Sequence, residues 1–269
     1  MSSPRAPIGI FDSGAGGLTV FKAVARRMPA EDLIYFGDTA NLPYGAKSPR
    51  AVRRASSAVA RFLAGKGIKT LVVACNTSSA VALSDIRRAV APIPVLGVIE
   101  PGARAAAKAA CGGPVGVVAT SATVASGAYA RAVKSRAPRV RVISVACPLF
   151  VPLVEEGLWS GPLAQGAAAR YLPRFKRERV KTLILGCTHY PLLKGVISRF
   201  LGRETRLIDS GEETALELET LLNRRGLRRI GRARGRRRFY VSDDPGRFSL
   251  LARRFLGRGA GKAILHVCE

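Results

Sequence analysis

Two cysteines in this chain occupy matching places in matching segments. Thr70-Leu71-Val72-Val73-Ala74-Cys75-Asn76-Thr77 and Thr182-Leu183-Ile184-Leu185-Gly186-Cys187-Thr188-His189 share one pattern. Each reads Thr-Leu, two aliphatic residues, a small residue, Cys, then two polar residues, and Cys75 and Cys187 lie 112 positions apart. A lone free cysteine is more often a small buried hydrophobe than a catalyst. The echo removes Cys75 and Cys187 from that default; Cys111, Cys147 and Cys268 have no such partner segment. Five widely spread cysteines make a poor disulfide framework, and without C-x-x-C spacing they suggest no zinc site. A reducing compartment is the simpler expectation, with thiols available for chemistry.

Two related units, each ending a strand with a thiol, would present those thiols to a common cleft from opposite sides. Two-base racemisation at an α-carbon needs such a pair. One group removes a proton from one face, the other returns a proton to the opposite face, and the roles exchange with direction. Thiols ionise near pH about 8.5 when unperturbed, and neighbours can bring them toward neutrality. Asn76, Thr77, Ser78 and Ser79 follow Cys75 at an expected helix N-terminus, where free amides favour a thiolate and can hold a carboxylate. Thr188 and His189 follow Cys187, and an imidazole there can serve the thiol as donor or acid. The other histidine, His266, lies in an apolar strand pattern and reads as structural.

Two further strand ends carry polar residues. Phe11-Asp12-Ser13-Gly14-Ala15-Gly16-Gly17 places a carboxylate before a glycine-rich turn. The glycines match neither nucleotide-binding fingerprint, because Thr19 stands where a third glycine belongs. Gly37-Asp38-Thr39-Ala40-Asn41-Leu42-Pro43-Tyr44-Gly45 is a turn-rich loop with a tyrosine.

The elements that must position these groups read as an α/β fold. Apolar runs predict strands near Pro7–Phe11, Leu33–Gly37, Thr70–Ala74, Ile93–Val98, Val115–Ala119, Val140–Val145, Thr182–Gly186 and Arg206–Asp209. Ala/Arg-rich stretches such as Pro49–Ala64, Ser79–Val90, Gly102–Ala110 and Thr123–Ala137 predict helices between them. Near-continuous apolar strands imply parallel sheets covered on both faces, with functional groups beyond their C-terminal ends.

The chain has 269 residues, of which 48% are hydrophobic, with 44 Lys/Arg against 18 Asp/Glu. That length supports one large or two modest domains. No apolar run of about 18 residues suggests a membrane span, and the N-terminal segment lacks a signal-peptide core, so a cytoplasmic location is expected. Of the net charge of +26, +12 lies between Leu222 and Lys262: fourteen Lys/Arg against Asp243 and Asp244. Such a region can attract nucleic acid or another anionic partner. The aromatic interleaving of single-strand binders is missing, so a solvated basic face is the favoured reading.

Phe11-Asp12-Ser13-Gly14, Gly37-Asp38-Thr39-Ala40 with Pro43-Tyr44-Gly45, Ala74-Cys75-Asn76-Thr77 and Gly186-Cys187-Thr188-His189-Tyr190-Pro191-Leu192 together resemble the successive signatures of bacterial glutamate racemases. Cys147-Pro148-Leu149-Phe150-Val151-Pro152-Leu153-Val154-Glu155 is similar to a further family segment, and the likeness runs from about Ile8 to Ala215. The resemblance implies cofactor-free interconversion of L- and D-glutamate, supplying D-glutamate for peptidoglycan. An aspartate racemase of the same two-cysteine superfamily would share the chemistry and differ in the pocket. Cys75 and Cys187 take the acid/base positions, with Asp12 on the first side and Glu155 and His189 on the second. Asp12, Ser13, Tyr44, Gly45, Asn76, Thr77, Thr188 and His189 match substrate-binding positions, and Ser121 and Thr123 fall where the family places further contacts. The implied fold is two pseudo-symmetric α/β domains with the active site in the cleft between them: 1–97 plus 207–269, and 98–206. No metal is implied, and a homodimer is compatible with it. The Arg-rich stretch beyond Leu222 is not something these motifs predict.

Overall fold

The computed structural model describes residues 3–110, 112–231, 233–257 and 261–268; Cys111 lies outside them. Among the described residues, ten strands form two all-parallel sheets. They are β1 (Ile8–Asp12), β2 (Leu33–Gly37), β3 (Thr70–Val73), β4 (Val95–Gly97), β5 (Val115–Ala119), β6 (Val142–Ala146), β7 (Thr182–Gly186), β8 (Arg206–Asp209), β9 (Arg237–Val241) and β10 (Ala263–Leu265). The larger sheet runs β10-β9-β2-β1-β3-β4 and the smaller β6-β5-β7-β8.

The echo in the sequence extends to the whole architecture. The smaller sheet repeats the strand order of β2-β1-β3-β4. Corresponding strands begin 107 (Ile8 to Val115), 109 (Leu33 to Val142), 112 (Thr70 to Thr182) and 111 (Val95 to Arg206) residues apart. So near-constant an offset means the two halves are copies of one unit, with Cys75 and Cys187 beyond equivalent strands. β1, β2, β3, β5 and β7 are buried along their whole length. Covered on both faces, they need no polar alternation.

Three expectations meet differences. The helix expected over Thr123–Ala137 is two, Ser121–Ala125 and Ala128–Lys134, because Gly127 turns to the left-handed region at φ 64°. The stretch Ser79–Val90 is likewise divided, into Asn76–Val81 and Leu83–Ala89, at Ala82. The basic run Arg236–Arg238 leads into β9, an interior strand paired with β2 and β10 that the apolar-run pattern does not predict, though Arg236 and Arg238 are exposed as a solvated face implies and only Arg237 is half-buried. Arg237 donates to the carbonyls of Glu31 and Pro29, and the Arg236 amide donates to Asp32 Oδ1 at 2.6 Å. Arg228 and Arg229 pair with Glu219 and Asp32 at 2.8 and 3.0 Å. Arg228, Arg229 and Arg237 are thus half-buried and tied into the fold, while most of the described arginines of the stretch stay exposed.

His266 is structural, as its pattern suggests. Its amide donates to Val241 O at 2.8 Å and its ring stacks on Phe62 with centroids 3.9 Å apart. No helix among the described residues is long and apolar enough to cross a membrane.

Candidate active site

The C-terminal ends of the central strands open onto one cavity of about 340 Å³. Cys75 and Cys187 both line it, with Ser13, Tyr44, Gly45, Asn76, Thr77, Ser121, Glu155, Thr188 and His189. Asp12 and Thr123 stand one layer back. Asp12 is 1% exposed beneath the wall, and Thr123 is buried within hydrogen-bonding distance of the Thr77 and Thr120 hydroxyls, at 3.3 and 3.0 Å.

The two thiols have different company. Cys187 Sγ lies 3.7 Å from His189 Nδ1, and His189 Nε2 lies 3.1 Å from Glu155 Oε1. Burial works to neutralise the imidazole. Its hydrogen bonds to Cys187 and Glu155, and their charges, outweigh burial and raise His189 to about 10. Burial likewise pushes Glu155 up, but the hydrogen bond and charge of His189, with Arg247 beyond, hold it below the usual carboxylate range. The result is an imidazolium held between a carboxylate and a sulfur, where it attracts negative charge developing on that sulfur.

Cys75 caps the helix Asn76–Val81. The Ser78 amide donates to its sulfur at 3.5 Å, and the thiol donates to Ser13 Oγ at 3.7 Å. Burial and the nearby Asp12 carboxylate nevertheless push this thiol up to about 11. The thiolate-favouring effect expected of a helix N-terminus does not prevail, because one amide and a hydroxyl do not offset burial beside a carboxylate. Burial also raises Asp12; the His189 charge, the Gly17 and Gly14 amides and the Thr188 hydroxyl act against it. The Gly14 amide donates to Asp12 Oδ2 at 3.1 Å, and Thr188 Oγ1 donates to Oδ1 at 3.5 Å.

The glycine turn serves close approach. A Cβ on Gly16 would overlap the His189 ring and Thr188 Oγ1, and one on Gly17 would overlap Asp12. Gly16→Ala must displace His189, so its activity is expected to fall by about 10-fold or more while the melting temperature changes little. A steady-state assay beside a thermal melt checks this.

Several residues were missed as candidates. Thr120 lines the cavity and caps the helix Ser121–Ala125, accepting from the Thr123 amide. Pro148, Val151 and Pro152 form an apolar wall. Asp38 accepts from Tyr44 OH and from Ser242 Oγ, the latter at 2.6 Å, and so anchors the tyrosine at the cavity. Tyr129 OH donates to Asn76 Oδ1 at 2.6 Å and lies 2.8 Å from Ser210 Oγ. Asp38 carried a sequence signal in its place in the loop after β2, and Pro148, Val151 and Pro152 in the 147–155 segment that resembles the family.

Comparison with known proteins agrees with this arrangement. Residues 8–218 match the family described as Asp/Glu/Hydantoin racemase. A glutamate racemase of Geobacter metallireducens is 50% identical over 258 residues, covering 96% of this chain and 95% of that protein. The crystal structure of a Francisella tularensis glutamate racemase in complex with D-glutamate superposes with a TM-score of 0.92 at 37% identity, covering 98% of both chains. A Thermus thermophilus glutamate racemase in complex with β-chloro-D-alanine gives 0.89 at 46% identity, covering 99% of this chain and 98% of that one. A duplicated α/β fold, one cavity between two equivalent thiols, and these relatives converge: the chain belongs to the Asp/Glu/Hydantoin racemase family, in its glutamate racemase group, and is an amino-acid racemase.

Proposed function

We propose that this racemase interconverts L- and D-glutamate by proton transfer between Cys75 and Cys187 without a cofactor, and supplies D-glutamate for peptidoglycan in the cytoplasm. The observation that carries the reading is that two strand-end thiols from duplicated halves line one cavity. The glutamate-racemase relatives support the choice of substrate.

The thiolate of one cysteine takes the α-proton, and the electron pair left on Cα spreads into the adjacent carboxylate. The opposite thiol delivers its proton to the other face. One cysteine ends protonated and the other ionised, the reverse of the start, so the protein gains and loses no net proton. His189, held by Glu155, meets the charge on Cys187 as it forms and disappears. Asp12 does its work beside Cys75, where its charge opposes the thiolate and so strengthens it as the base that takes the α-proton. Ser13, Asn76, Thr77 and Thr188 offer donors to the substrate's carboxylates, with Tyr44, Gly45, Ser121 and Thr123 shaping or supporting the same wall.

Purified protein given D-glutamate should form L-glutamate with no added pyridoxal phosphate or metal. Activity on aspartate alone would overturn the substrate assignment. The Asn76 contact gives a separate expectation. With Oδ1 occupied by Tyr129, the Nδ2 donors are what Asn76 offers the cavity. Tyr129→Phe releases the amide, and KM should rise about 5-fold, the equivalent of one hydrogen bond worth roughly 1 kcal/mol, with kcat little changed.

The pH profile follows from His189. Its imidazolium persists up to about pH 10, and activity should decline as pH rises through that value. Glu155→Gln removes a charge that raises His189, so the alkaline limb should move down by about 1 pH unit relative to the unsubstituted enzyme on the same substrate. An unmoved limb would show that Glu155 does not hold the imidazolium.

A further inference from the structure

We propose that the C-terminal helix Pro245–Leu256 holds the Glu155–His189 pair in register with Cys187, and that Arg254 is the positioning residue through which it does so. This rests on the assignment of that pair to Cys187. The helix lies in the basic stretch that the active-site motifs do not predict, past the end of the family match at residue 218.

Glu155 is the last residue of the six-residue helix Phe150–Glu155, and Gly157 turns the chain away at φ 81°. The final carbonyls of a helix have no partner within it, and its C-terminal end disfavours a carboxylate. Glu155 therefore sits where local structure supports it least. Arg254 supplies what is missing: its guanidinium donates to the Glu155 main-chain carbonyl at 2.7 Å. The next residue, Phe255, is 3% exposed and meets the His189 ring edge-on, with centroids 6.1 Å apart. One turn of one helix thus touches both members of the pair. Its far side is fixed as well, by Lys22 Nζ donating to Phe255 O at 3.3 Å. At the helix start, Arg247 adds positive charge toward Glu155, and Asp244, at φ 41°, accepts from the Arg247 amide at 2.8 Å. Arg254 does not line the cavity, so its effect reaches the reaction only through Glu155 and His189.

Arg254→Met and Arg254→Lys, made in the full chain, test this. The charged groups facing His189 are Cys187, Glu155 and Asp12, and only the Cys187 side should respond. Arg254→Met should lower kcat by about 10-fold with KM within about 2-fold, because misplacement of a catalytic group by a fraction of an ångström has that scale of effect. Iodoacetamide labelling followed by peptide mass spectrometry should show the pH midpoint for Cys187 shifted upward and that for Cys75 unchanged. Arg254→Lys, which keeps a donor, should recover part of both effects. Wild-type kcat and labelling in Arg254→Met would overturn the proposal, as would equal changes at both thiols. If thermal melts show Arg254→Met to be unfolded, Phe255→Leu takes its place under the same readouts. Wild-type racemisation by Cys187→Ala would instead overturn the two-thiol reading, and the labelling result would still decide the role of Arg254.

Discussion

Cys187→Ala should lose racemase activity by about a thousandfold or more, and Cys75→Ala should do the same, because under the proposed mechanism each removes one of two proton carriers, whose individual contributions run to about 10⁴. Loss of fold would not explain such a result. Cys75 and Cys187 are 5% and 7% exposed, and alanine leaves only a small gap at the cavity edge. The two variants should also fail differently. Each keeps one base and can still remove the α-proton from the enantiomer presenting it to that base. In D2O, proton NMR should show α-proton loss from one enantiomer with Cys75→Ala and from the other with Cys187→Ala. The halves are copies in backbone but not in side-chain company. Cys187 has the His189–Glu155 pair, whereas Cys75 has Ser13, the Ser78 amide and Asp12. Equal exchange of both enantiomers by a single variant would contradict opposed placement.

The largest effect on stability is expected at Lys69 and Glu31. Both side chains are fully buried and form an ion pair. Lys69 Nζ also donates to Pro4 O and Leu227 O, each at 2.8 Å, and Glu31 Oε1 accepts from the Arg229 amide at 2.8 Å. Burial lowers the Lys69 pKa, while the bond to Glu31 opposes that shift. Removing one partner strands the other charge without water. Lys69→Met should therefore destabilise the protein by roughly 3–5 kcal/mol, whereas Lys69→Met with Glu31→Leu should recover most of that loss. Chemical denaturation of the three proteins decides it; a double variant no better than Lys69→Met would place the stabilisation in the backbone contacts instead. The pair joins the N-terminal segment to the start of the chain that leads to β9 and the C-terminal helix, so its loss should loosen the support of the Cys187 side as well.

What the sequence made legible depended on how local each signal was. Eight strands and the duplicated thiols show as short apolar runs with a repeated ending, a pattern carried by consecutive residues. Strand β9 was hidden because its first two residues are Arg237 and Arg238, which read as solvated charge. Glu31 and Asp32, some 200 positions away, are what make a half-buried place tolerable for Arg237, while Arg238 stays exposed. Gly127 broke a helix that periodicity drew as continuous, since only its left-handed backbone reveals the break. Within the site, residues next to a strand-end motif could be found, but Tyr129 and Arg254 could not, because each touches the site through a partner distant in sequence, Asn76 and Glu155 respectively. Asp12 and Thr123 show the converse: a motif marks the right neighbourhood without telling a wall residue from one behind it.

The most direct test of the central claim follows a single turnover of ordinary L-glutamate in D2O. Two opposed thiols keep their protons separate: one takes protium from the substrate, and the other delivers deuterium acquired from solvent. The first D-glutamate formed should therefore carry deuterium at Cα in nearly every molecule, while unreacted L-glutamate retains protium. First-formed D-glutamate carrying the substrate's own protium would mean that one group both removes and returns the proton, and the two-thiol account would be wrong.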